Sequence, residues 1–347
     1  MPLISLLLVG TGLLVLHSAA PGNEFSRQVV FVGAGAVLIA ALVWAGKNRI
    51  LASAPYLYAG SIFLLVLTRF FGTEVNGAKS WLYLHPSLPG FQPSELSKIA
   101  LLLMVANMLH ERPLKSLRDY ARIALVVLPV FGLVLAESDL GSSIVIAALT
   151  VGMMLVRGIP WKLVAVAAVL VVVVVPTVIY PNLQPYQQLR IISFINPEAD
   201  PQGSGYQVIQ STIAIGSGGL AGKGYMQGTQ SQLGFIPFRQ TDFIFAVLAE
   251  ETGFIGALGV LVLFSLLFWR LTVMAQEAVH ERDQLVIMGV NILIAFQVVV
   301  NIAVTLGLAP VTGITLPLFS AGGTSLVSTM VALALAFIVH RERFTEW

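Results

Sequence analysis

Residues 241–270 read TDFIFAVLAEETGFIGALGVLVLFSLLFWR. After Thr241-Asp242 the only charges before Arg270 are Glu250 and Glu251, and Leu, Phe, Val, Ala, Ile and Gly fill most of the rest. One helical crossing of a bilayer core about 30 Å thick takes about 20 mostly apolar residues, which this run supplies. It lacks the alternation of a membrane barrel strand, and a backbone in lipid must satisfy its own hydrogen bonds. A helix is therefore the spanning element it fits.

The same pattern recurs on both sides. Besides 242–270, apolar runs between polar punctuation predict helices at 3–19, 28–46, 54–71, 94–110, 120–136, 141–157, 162–180, 285–306 and 323–340. The composition agrees: 57% of the 347 residues are hydrophobic, 10% are charged and the mean hydropathy is +0.88, far from the make-up of a soluble domain. The expected fold is all-α, a single polytopic membrane domain over 1–347 with about ten transmembrane helices. The first run, Leu3 to Ala19, has no basic stretch before it and is followed by many more, so it reads as a first helix and not as a cleaved signal.

An even number of spans puts both termini on one side. Twelve of the 19 Lys and Arg residues fall on that side, which the positive-inside rule assigns to the cytoplasm. The segment from about 181 to 241 is then a long extracytoplasmic loop, and its apolar stretch Tyr206 to Ile215 predicts a short interfacial helix. A net charge of +2, scattered along the chain, gives nucleic acid nothing to hold, and the absence of cysteine excludes disulfides and thiol chemistry.

Several polar residues interrupt this apolar frame. Asp242 stands where the long loop meets a helix; it reads either as a helix cap or as a carboxylate held at the membrane surface as a general base. Arg190, Lys223 and Arg239 share its loop system and would suit an anionic ligand. On a straight helix Glu250 lies about 12 Å further along and about 80° round from Asp242, close enough in direction to share a cavity, or else to serve a structural hydrogen bond. Glu95 and Lys98, three apart behind the cap candidate Ser94, share one helix face as a structural clasp or a ligand site. Asp139 is a cap candidate for the helix beginning near Leu140, or a substrate-binding carboxylate alongside Glu95 and Lys98.

Two glycine-rich stretches need a reading as well. The run Gly216 to Gly224 lacks the P-loop spacing, with Ser217 and Gly224 where glycine and a hydroxyl residue would be required; it is either a phosphate-cradling turn or a tight loop needing positive φ. The segment Gly307 to Ser325 mixes Pro and Gly among apolar residues, so it is no regular helix and is expected to roof a site or dock a partner.

Taken together, these stretches resemble the SEDS family (shape, elongation, division and sporulation). The resemblance rests on Asn76-Gly77-Ala78 with Trp81, Phe91 to Lys98, Ser138 to Gly141, Arg190 to Pro197, Asp200 to Tyr206, Gln210-Ser211, Ile215 to Gly224, Thr241 to Phe245, Glu250-Glu251 and Gly307 to Ser325. Gly228-Thr229-Gln230 and the Gly-Lys-Gly turn look more like the RodA-like elongation branch than the division branch. The resemblance implies ten transmembrane helices and a peptidoglycan glycosyltransferase that polymerises lipid II, a polyprenyl diphosphate-linked disaccharide-pentapeptide. It maps the family's essential aspartate to Asp242 and its Glu/Lys pair to Glu95 and Lys98. It also implies a class B penicillin-binding protein as partner, in contact with membrane lipids.

Two positions depart from the family pattern. Phe238 and Gln240 stand where a Glu and a His are frequent, and Glu137-Ser138 replaces a frequent Gln-Pro. The expected chemistry has Asp242 as base, with Lys98, Arg190, Lys223 and Arg239 as cations facing the diphosphate and a divalent cation as a candidate helper. A lipid-linked precursor flippase or transporter, and a non-catalytic scaffold of the wall-synthesis complex, are the alternatives.

Overall fold

The computed structural model describes residues 1–344 except Asn76, Leu84, Pro86, Ser87, Leu88, Pro113, Val175, Val178, Ile179 and Gln202. Asn76 and Gln202 of the quoted motifs, and part of the helix expected at 162–180, lie outside the described residues.

Every expected helix position is helical, with shifted ends. In chain order these are α1 (Pro2–Ala19), α2 (Asn23–Ala52), α3 (Ala54–Phe71), α4 (Pro93–Glu111), α5 (Leu117–Ala136), α6 (Leu140–Val156) and α7 (Trp161–Val174). After the long connection come α11 (Ile244–Gln276), α12 (Glu281–Thr305) and α13 (Gly323–Arg341). The connection holds α8 (Pro185–Ile195), α9 (Ser204–Gly218) and the single turn α10 (Thr229–Gln232). Among the described residues seven helices, α1, α2, α3, α5, α11, α12 and α13, are long and apolar enough to cross a membrane, and α6 is a shorter apolar helix. The protein is a multi-pass membrane protein. A short antiparallel hairpin, β1 (Thr73–Val75) with β2 (Ala78–Trp81), qualifies the all-α expectation. Strands of three and four residues leave no apolar signature to read.

α4 owes its low hydropathy to Glu95, Lys98, Asn107 and its serines, yet it is buried on most sides, against α3, α12 and α13. Around this core the outer helices present large apolar side chains such as Trp44, Tyr56, Phe63 and Phe71, the surface that lipid and not water would cover.

Two helices are broken at glycine. At Gly253 of α11 the backbone turns to φ 67°, ψ −165°. This frees backbone groups that the glycine-rich loop takes up: Lys223 N–H donates to the Glu250 carbonyl (3.0 Å), Gly224 N–H to Glu251 (3.0 Å), Phe254 N–H to Gly219 (2.9 Å) and Ile255 N–H to Leu220 (3.2 Å). The loop is thus spliced into the helix, and a Cβ on Gly222 would collide with the Glu251 carbonyl. Gly219, Gly222 and Gly224 have φ of 56°, 79° and 105°, so of the two readings of this run the tight loop is the observed one. At the far end of the molecule α2 breaks at Gly46, and Lys47, just past the helix end expected at 46, is fully buried against Asp283 at 2.9 Å.

The helix starts correct two cap expectations. α4 begins at Pro93 with Gln92 as its N-cap, so Ser94 is already inside the helix; proline suits that first position because it has no N–H to satisfy. α11 begins at Ile244 after Phe243, without a side-chain cap, so Asp242 does not cap it. Asp139 does cap α6, accepting the Ser142 N–H at 2.9 Å.

Candidate active site

A cavity of about 770 Å³ opens on the face that carries α8 and α9. Its walls come from distant parts of the chain: Gln28 and Phe31 of α2, Ser80 and Trp81 of the hairpin, Glu95 and Lys98 of α4, Asp139 before α6, Tyr186 and Arg190 of α8, and Asp242. The irregular segment after α12 supplies Val311 to Thr315 and Ala321 to Gly323, so it roofs the cavity. Irregular backbone is tolerated in a membrane protein where it lines such a space.

Asp242 is half-buried in the cavity wall, outside the spans. Burial pushes its carboxyl up to about 6, against the opposing pull of the Arg190 guanidinium and the Thr241 hydroxyl. Such a group is largely ionised at neutral pH yet more basic than an ordinary aspartate, the balance a general base needs. Arg190 lies over the Tyr186 ring at 5.7 Å, and the Tyr186 hydroxyl donates towards the carbonyls of Gly77 and Ser138, both at 3.3 Å. Hairpin, α5–α6 turn and α8 are thereby tied together. Among the described residues Arg190 makes no salt bridge, so its fork of donors is open towards the cavity.

Lys98 donates to Glu95 Oε1 at 2.8 Å, and the Ser328 hydroxyl of α13 donates to Glu95 Oε2 at 2.7 Å. The pair is buried and still lines the cavity, so it is both a clasp between helices and part of the wall. Asp139 also has two attachments, since beyond its cap it accepts the Gln92 side-chain amide at 3.0 Å. One residue before the cavity-lining Ser138, Glu137 is buried, and among the described residues neither of its carboxylate oxygens finds a hydrogen-bond donor. Burial, then the charge of Asp139, push its carboxyl up to about 8, while Arg69 pulls the other way.

Asp242, Glu95, Lys98, Asp139 and Arg190 therefore meet around one cavity. Lys223, Arg239 and Glu250 do not join them; none lines it. Lys223 spends its ammonium on Glu250 Oε1 (2.8 Å) and Thr229 (2.7 Å), and Glu250 also accepts the N–H groups of Gln230 (2.8 Å) and Ser231 (2.9 Å). A straight helix from Asp242 to Glu250 suggested a shared cavity; in fact the loop folds over the Glu250 face and saturates it. Phe238 and Gln240 line the cavity while Arg239 between them does not.

Sequence reasoning missed Gln28, Gln297, Asn301 and Ser320, all buried within or behind the cavity wall. For the three amides the signal available was an isolated polar side chain in an otherwise apolar helix, which in a membrane protein faces an interior partner or a cavity; Ser320, in the irregular segment, offered none. Among the described residues no three His, Asp or Glu side chains gather into a set able to hold a metal ion.

Comparison with known proteins matches the whole of this architecture. The FtsW/RodA/SpoVE family of cell cycle proteins matches residues 1–344. The peptidoglycan glycosyltransferase MrdB of Escherichia coli is 39% identical, covering 99% of this chain and 93% of the relative. Stage V sporulation protein E of Bacillus subtilis is 34% identical over 99% of this chain and 96% of its own length. Among solved structures, a chain of a peptidoglycan synthase complex coordinating polymerization and crosslinking superposes with a TM-score of 0.87 at 42% identity, covering 99% of this chain and 97% of that one. The rod shape determining protein RodA of Thermus thermophilus superposes with a TM-score of 0.76 at 36% identity, covering 99% and 96%. The chain therefore belongs to the FtsW/RodA/SpoVE family.

Proposed function

We propose that the chain is a peptidoglycan glycosyltransferase that polymerises lipid II on the outer face of the bacterial cytoplasmic membrane during elongation, with both termini in the cytoplasm and the cavity facing outwards. The observation that carries this reading is the Asp242 carboxylate in a cavity of mixed polar and apolar lining, made more basic by burial and standing beside the open guanidinium of Arg190. Outside the membrane no nucleotide supplies energy, so the donor must carry its own leaving group, and a polyprenyl diphosphate sugar does. Asp242 takes the proton of the acceptor sugar hydroxyl, whose oxygen bonds to the anomeric carbon of the donor as the bond to the diphosphate breaks. Arg190 and Lys98 stabilise the departing diphosphate, and Glu95 and Asp139 orient the wall around it. A divalent cation would arrive with the diphosphate, since among the described residues no three acidic or His side chains form a ligand set.

The chain's likeness to a subunit of a peptidoglycan synthase complex supports a class B penicillin-binding protein as partner. The test is polymerisation of lipid II in detergent by the purified chain with that partner. Wild-type protein makes glycan strands and folded Asp242→Ala makes none. Undiminished polymer from Asp242→Ala overturns the assigned base. Movement of lipid II across vesicles without polymer favours the flippase, and neither activity favours the scaffold.

A further inference from the structure

Three consecutive carbonyls lead into α11, those of Gln240, Thr241 and Asp242, and each is held by a group from elsewhere in the chain. The Asn301 amide of α12 donates to the Asp242 carbonyl at 2.9 Å and to the Ile314 carbonyl at 2.8 Å. The Ser320 hydroxyl donates to the Thr241 carbonyl at 2.6 Å while accepting the Leu316 N–H at 2.8 Å. The Ala321 N–H donates to the Gln240 carbonyl at 2.7 Å. Behind them, Gln28 of α2 donates to the Ser320 carbonyl at 2.8 Å and accepts the Gly322 N–H at 3.2 Å. Asn301, Ser320 and Gln28 are 1%, 4% and 3% exposed.

We propose that Asn301, backed by Ser320 and Gln28, is a positioning clamp that sets the direction in which Asp242 enters the cavity and its distance from the adjoining wall. The clamp grips the backbone of the residue that carries the carboxylate and, with the other hydrogen of the same amide, the segment whose Ile314 and Thr315 form that wall. The chemistry calls for an amide. One –NH₂ offers two donors to two carbonyls, whereas an ionised carboxylate offers none and a hydroxyl only one. Among the described residues the Asn301 Oδ1 has no partner, so this side chain is kept for its donors. Because α11 starts without a side-chain cap, nothing on the helix itself fixes residues 240–242 in this way.

This inference rests on the proposed role of Asp242. A displacement of about 1 Å at a reacting group costs about 10²-fold in rate, which sets the scale of the test. Purified Asn301→Ala, Asn301→Asp and Ser320→Ala are compared with wild type, each with its partner, on lipid II. The Asn301 variants lose about 10²-fold in kcat with KM changed less than about threefold, and Ser320→Ala loses about tenfold. The acid limb of the pH–rate profile also moves down towards the ordinary aspartate range as the carboxylate turns to water. A loss of folded protein alone would leave that limb and KM in place. If the Asn301 variants do not fold, Ser320→Ala decides. Wild-type kcat in the folded variants, or an unmoved acid limb in weakened ones, overturns the clamp. Asp242→Ala run in parallel separates the failures: if it polymerises, the base assignment falls, and if it is dead while the clamp variants are fully active, the clamp alone falls.

Discussion

Two lysine–glutamate pairs with the same 2.8 Å contact have different surroundings: Glu95 with Lys98 in α4, and Glu250 with Lys223 between α11 and the glycine-rich loop. What separates them is the use of the remaining valences. Both Glu250 oxygens are taken, by the lysine and by the N–H groups of Gln230 and Ser231, and the Lys223 ammonium has a second partner in Thr229. In the α4 pair, among the described residues, the ammonium bonds only to Glu95, and the nearly buried pair lines the cavity with two N–H donors unspent. An ion pair with donors to spare can meet a diphosphate; a saturated one can only hold a chain in place. Paired charges in a membrane span therefore divide by their unused hydrogen-bonding capacity more than by their depth.

Substitutions test that division. Lys98→Met should cut lipid II polymerisation by about 10²-fold or more, measured as glycan product per folded enzyme, because it removes a cation from the reacting face and strands Glu95. Polymerisation at the wild-type rate would move the α4 pair into the structural class. Gly222→Ala should destabilise by about 2–3 kcal/mol, read as a lowered thermal midpoint in detergent, since it asks a side chain to adopt positive φ against the Glu251 carbonyl. Lys223→Met should cost about 1–2 kcal/mol of stability and leave the kcat of the surviving folded enzyme within about threefold, because Glu250 keeps its backbone donors. A drop in kcat as large as that of Lys98→Met would erase the distinction.

An effect that appears only at high pH concerns Glu137. Its carboxyl stands at about 8 in the folded chain, above the ordinary value, so the folded state holds a proton that the unfolded state has released. That contribution is full below the unfolded value and fades as pH rises through the folded one. Glu137→Gln should therefore raise the thermal midpoint by roughly 5 °C at about pH 9 and leave it nearly unchanged at about pH 4. An equal rise at both pH values would show that charge is not the cause.

The ten helix positions were legible because apolar runs of membrane length are a strong signal, whereas their ends were not. α2 runs past the expected 28–46 at both ends: Asn23, Glu24, Ser26 and Arg27 are polar yet helical at the cavity mouth, and Lys47 is polar yet buried against Asp283. The hairpin and α8 were too short to announce themselves. Within the site, Asp242, Arg190, Glu95, Lys98 and Asp139 could be singled out because charge is rare in such a chain. The same rule gathered in Lys223, Arg239 and Glu250, since a sequence shows where charge is but not which face a loop will cover. It passed over Asn301 and Ser320, which act on backbone carbonyls that no sequence pattern displays.

The loop spliced into α11 limits how freely this protein can exchange parts. A surface connection can usually be traded between relatives without disturbing the helices it joins. Here residues 219–224 complete the hydrogen-bond ladder of a membrane helix, and a foreign loop that failed to mate with the break at Gly253 would leave four backbone groups bare at the end of a span, each a penalty of a few kcal/mol. A chimera carrying another protein's 219–243 should insert and assemble only when 250–255 travels with it, so loop and helix form one unit of inheritance.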